Sequence, residues 1–173
     1  MDRALLPALG ALALLCAWMG AALLVAAVVA PAAFAVLPSR TLAGALVGRV
    51  LPVLFWSGML VGLAAAALTW SFPGRHARAA SALAMVLACA IAQLVITPRI
   101  ERIRTAVGGP MDALPIGDER RVAFGRLHGV SVSLLGVAAI AALVAAFLVF
   151  RSVAAPHAHA AASPPTTKSS HDG

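Results

Sequence analysis

The chain has 173 residues, of which 62% are hydrophobic and 11% charged, and thirteen Lys and Arg against six Asp and Glu give a formal charge of +7. Soluble domains lie near about 45–50% apolar and about 25% charged, so a single water-soluble globule is excluded. A disordered chain is excluded by the same numbers, and two cysteines are too few for a disulfide-stapled secreted module.

Residues 4–39 contain no Asp, Glu, Lys, Arg or His. About 20 apolar residues in a helix cross a hydrocarbon core about 30 Å thick, which predicts a first span at Leu5–Val29. Ala33-Phe34-Ala35 has the A-x-A form of a signal cleavage site. The apolar run before it is far longer than a signal core of about 7–15 residues, so the segment is expected to stay as a span.

Pro38 and Ser39 supply a stop and an N-cap, which predicts a second helix from Ser39 with its span at Leu51–Trp70. Gly44, Gly48, Leu51, Phe55, Gly58 and Gly62 recur at helical spacing and form one stripe. Trp70 and Phe72 suit a membrane interface, and Pro73-Gly74 supplies the turn. A third span follows at Ala77–Ile96. Ile100, Ile103 and Val107 extend it as a surface helix that ends at Gly108-Gly109-Pro110. A fourth helix restarts at Asp118-Glu119, where acids suit a helix N-terminus, and spans Val130–Phe150.

That last helix carries Gly125, Gly129, Ser133 and Gly136 in a stripe of its own. Small residues let backbones approach where lipid gives no hydrophobic drive, so helices two and four are expected to meet through their glycines. From Ser152 onward the composition is Ala, Pro, Ser, Thr and His, too poor in large apolar groups to fold. The expected architecture is therefore all-α: a four-helix transmembrane bundle over residues 1–151 and a disordered tail over 152–173.

The charge is best read as topology. The first and third connections hold Arg40, Arg49, Arg99, Arg102, Arg104, Arg120, Arg121 and Arg126, against Arg3, Arg75, Arg78 and Arg151 on the other side. The positive-inside rule then predicts both termini outside. Arginines that cap helices, with no stripe of aromatics among them, argue against nucleic acid. The expected partners are the bilayer, an anionic lipid or small anion, and a membrane-protein partner or second copy at the glycine stripes.

Arg40 and Arg49 flank the start of helix two; Arg126 and His128 lie at the start of helix four, with Ser131 on the histidine's face. Ionisable groups near a bilayer core are expensive and often mark function, and guanidinium forks match phosphate and carboxylate oxygens. These five residues are the expected polar cluster. Snorkelling to lipid phosphates is the plainer role for the arginines. His128 is also the one histidine near a span and so the candidate ligand for haem. His157 and His159 in the tail are weak candidates for copper or nickel. No nucleophile–base pair, HExxH, CxxC or phosphate loop is present, and every acidic residue lies outside the spans. Catalysis and ion-driven transport both lose ground.

Val29–Pro38, Ala43–Arg49, Thr97–Ile100 and Phe124–Ser131 together resemble, in matching order, the transmembrane protein 205-like family (domain of unknown function 4149). The resemblance implies a four-helix integral membrane protein with no established enzyme activity. The layout is also similar to copper-resistance-D-like proteins and membrane protoporphyrinogen oxidases, which place a histidine in the first span; this first span has none. The expectation is a non-catalytic protein of a bacterial inner membrane, serving envelope function or small-solute or metal tolerance. The competing readings are a haem- or copper-handling redox protein using His128 and a helper subunit of a larger complex.

Overall fold

The computed structural model describes residues 5–72 and 74–161, the stretch 155–161 as backbone alone. Among the described residues, four helices are long and apolar enough to cross a membrane. They are α1 (Leu5–Val36), α2 (Arg40–Leu68), α3 (Arg75–Val107) and α4 (Glu119–Ala161), with one 3-10 turn at Met111–Ala113 before α4. Helix is what such runs must form in lipid, because it satisfies every backbone group within the segment.

Local chemistry sets the helix ends. Ser39 is extended, and its hydroxyl accepts from the Leu42 N–H at 3.2 Å, capping α2. Gly108 takes the left-handed conformation at φ 64°, where its N–H closes α3 onto the Arg104 carbonyl. Asp118 accepts from the Arg120 N–H at 2.8 Å at the start of α4. The Arg120 guanidinium also bonds that carboxyl and holds it below the usual carboxylate range. The expected extension of the third span is present: α3 runs on through a π-helical stretch to Val107.

Two such stretches occur, Val25–Val29 in α1 and Ile91–Ile96 in α3, and a proline follows each, Pro31 and Pro98. Proline has no N–H to give and clashes with the carbonyl four residues back. A wider turn relieves that clash, and the Ala30 N–H accordingly reaches back to the Val25 carbonyl. The Thr97 N–H and hydroxyl both reach the Ala92 carbonyl, the hydroxyl at 3.0 Å.

The helices form a ring in sequence order. α1 packs on α2 and α4, α3 packs on the same two, and α2 and α4 face each other across the diagonal. The core holds Leu15 and Trp18 from α1, Phe55 from α2, Met85 and Cys89 from α3, and a row of alanines from α4 that includes Ala138, Ala142 and Ala145. The Trp18 indole donates to the Leu54 carbonyl at 3.0 Å, tying α1 to α2. Cys16 lies exposed on the outer face, whereas Cys89 is fully buried.

The expected meeting of α2 with α4 through glycines is therefore corrected. A Cβ placed on Gly125, Gly129 or Gly136 would meet nothing within 4 Å. On α2, Gly58 and Gly62 do sit at close approaches, but to α1 and α3 and not to α4. A Cβ on Gly58 would lie 2.7 Å from the Cys89 sulfur and 2.9 Å from the Trp18 ring. On Gly62 it would lie 2.6 Å from the Val86 side chain and 3.1 Å from the Ala82 carbonyl oxygen, a close approach of the α2 and α3 backbones. The α2 stripe is filled by its ring neighbours, and α4 turns its alanines, not its glycines, inward.

Helical backbone also continues past Ser152 to Ala161, where composition alone reads as tail. The alanines of this stretch are the strongest helix formers, and the Ser152 hydroxyl bonds back to the Val149 carbonyl at 2.6 Å. The rest of the expected tail, 162–173, lies outside the described residues, as do the side chains of His157 and His159.

Candidate functional site: a cavity at the arginine-rich end

At the end of the bundle where α1 and α3 finish and α2 and α4 begin, the helices diverge around a cavity of about 370 Å³. Its apolar wall includes Phe34 of α1, Leu51 and Pro52 of α2, and Ile100 of α3. Its polar wall includes Arg40 and Thr41 of α2, Thr97, Glu101 and Arg104 of α3, Asp112 of the 3-10 turn, and His128 and Ser131 of α4.

Arg104 organises this wall. Its Nη2 donates to the Gly44 carbonyl at 3.1 Å, and its Nη1 pairs with Glu101 Oε1 at 3.1 Å. The guanidinium lies 5.5 Å from the centroid of the Phe124 ring, within cation–π range. A Cβ on Gly48 would sit 2.8 Å from Arg104 Nη1. The Gly44–Gly48 pair therefore makes a notch that seats a guanidinium, and it serves no helix–helix backbone contact. Phe124 in turn stacks on His128, with centroids 6.3 Å apart and planes within 5°.

Two further groups bear on what the cavity can hold. Ser131 is 4% exposed, and its hydroxyl has no hydrogen-bond partner among the described residues. It lines the cavity, so it is a buried donor and acceptor with capacity to spare. Pro52 cannot donate to the carbonyl of Gly48, its neighbour one turn back, and both residues line the same space.

Of the five residues expected to converge, Arg40, His128 and Ser131 line the cavity, and Arg49 and Arg126 do not. Helical geometry gives the reason: about 100° separates successive residues, which turns Arg126 away from His128 and Arg49 away from Gly48. Arg126 instead borders a shallow depression with Glu119 and Leu127. Sequence reasoning missed Arg104, Glu101 and Thr97. Their spacing of four and three puts them on one face of α3 beside the apolar stripe of Ile100 and Ile103, and that spacing was the available signal. Among the described residues, no three His, Cys, Asp or Glu side chains gather as a metal site would need.

The family description "Domain of unknown function (DUF4149)" matches residues 13–107, more than half of the chain. That is the domain named above by resemblance, and the match takes in three of the four segments, with Phe124–Ser131 beyond it; it carries no transmembrane protein 205 label. No curated protein and no solved structure matches the chain.

Proposed function

The chain belongs to the DUF4149 family of unknown function, and from that premise we propose that it is a non-catalytic, multi-pass protein of a bacterial cytoplasmic membrane that holds an amphiphile by its anionic group. The observation that carries this reading is the cavity with one polar and one apolar wall, where Arg104 is held in a glycine notch by Gly44, Glu101 and Phe124. A guanidinium fixed in this way presents its remaining N–H groups without further ordering, which suits a phosphate or carboxylate oxygen. The apolar wall suits the first methylenes of a chain that continues into the bilayer. His128 stacks on Phe124 and makes no hydrogen bond to Ser131, an arrangement that favours holding over nucleophilic attack.

Native mass spectrometry of protein released in mild detergent tests the reading. Wild type is expected to retain one amphiphile of lipid mass, and Arg104→Ala to lose most of it. Equal retention by the variant, or none by wild type after reconstitution with lipid, would sink the proposal.

The arginine imbalance between the two ends supports placing the cavity end in the cytoplasm, with both termini outside. Phosphatase and fluorescent-protein fusions at each terminus are expected to report an external location; a fluorescent, cytoplasmic C-terminus would reverse the orientation.

A further inference from the structure

We propose that the amphiphile held in this cavity has a zwitterionic head, a phosphodiester beside a primary ammonium. This rests on the reading of the cavity as an amphiphile site and adds the chemistry of its ligand. Arg40 and Arg104 line the cavity together with Glu101 and Asp112, two side chains of each sign. Arg104 and Glu101 are already joined at 3.1 Å. Arg40 and Asp112 have no hydrogen bond or ion pair among the described residues, and they leave one open charge of each sign.

A head that carries only negative charge would be brought up to the Glu101 and Asp112 carboxylates, both of them exposed, and like charges brought together repel. A zwitterion meets both open charges. Its phosphate takes the arginine N–H groups and the buried Ser131 hydroxyl, while its ammonium donates to the carboxylates. A primary ammonium fits better than a quaternary one. The latter needs a cage of aromatic faces, and of the two phenyl rings here, Phe34 and Phe124, the second already lies under Arg104. The volume of 370 Å³ is near the lower end of ligand sites, about 300–1,000 Å³. It accommodates a head and the beginning of its tails.

The test is competition for delipidated full-length protein in mild detergent among phosphatidylethanolamine, phosphatidylglycerol and phosphatidylcholine with identical acyl chains, read by native mass spectrometry. The ethanolamine lipid is expected to win by roughly tenfold, the worth of one charge-assisted hydrogen bond. Asp112→Asn is expected to erase that preference while some lipid still binds. Preference for the glycerol head, or none among the three, overturns the zwitterion while Arg104-dependent binding still supports an amphiphile site. Loss of any Arg104 dependence overturns the site itself. Glycerophosphoethanolamine, the head without tails, is expected to compete only weakly. If it competes as well as the lipid, the head chemistry stands and the membrane source falls.

Discussion

Gly58→Leu is expected to be among the most damaging single changes in the bundle, while Gly129→Leu, which looks equivalent in sequence, is expected to leave stability unchanged. At Gly58 the first atom of any side chain lands 2.7 Å from the Cys89 sulfur and 2.9 Å from the Trp18 ring. Both neighbours are buried, and neither is the loose end of a surface side chain. The indole is held on the Leu54 carbonyl, and Cys89 is packed at 0% exposure, so α1 and α3 must both move outward. Overpacking of this kind costs about 3 kcal/mol, or roughly 6–12 °C in Tm for a chain of this length. Thermal unfolding in mild detergent measures it, and maleimide labelling of Cys89 in a Cys16→Ser background reports the opening directly. Gly129 faces open space, and an unchanged Tm there beside a fallen one at Gly58 is the expected pattern. A fall at Gly129 alone would restore the contact between α2 and α4.

The second large effect is expected at Trp18. It is 3% exposed, the largest side chain that α1 puts into the core, and its N–H is satisfied across the helix interface. Trp18→Ala leaves a void in a core whose α4 wall is alanine, and truncations of this size cost about 3–5 kcal/mol. Trp18→Phe keeps much of the packing and loses chiefly the hydrogen bond, about 1 kcal/mol. The Leu54 carbonyl still accepts from Ser57 in that variant. Since Gly58 and Trp18 touch, their costs should not add. The leucine at 58 takes up part of the space that the indole vacates, so the double variant is expected to melt above the sum of the single losses. Strict additivity in the same detergent assay would show that the two positions relax separately.

The spans and most of their ends were legible because the causes are local. A run without charge needs no partner to be read as a span, and Ser39, Gly108 and Asp118 act on backbone within a few residues of themselves. The ring order was not legible, because a glycine stripe records only one side of a contact. Gly58 and Gly62 admit a tryptophan, a cysteine or a valine as readily as another glycine, and nothing within α2 says which. His128 and Ser131 could be found because they interrupt an apolar helix. Arg104 was hidden among the arginines that set topology. Its long stem carries the guanidinium from the end of α3 to Gly44, sixty residues away in sequence, and that reach is a property of the folded chain alone.

Pro52 also has a consequence for solvent. The Gly48 carbonyl loses its ladder donor to this proline, and a backbone carbonyl left without any donor costs about as much as a lost hydrogen bond. Gly48 lies eight residues beyond Arg40, about 12 Å along the helix axis. Gly48 and Pro52 both line the cavity, so relief of that carbonyl asks for a water, or for a ligand's donor, to that depth inside it.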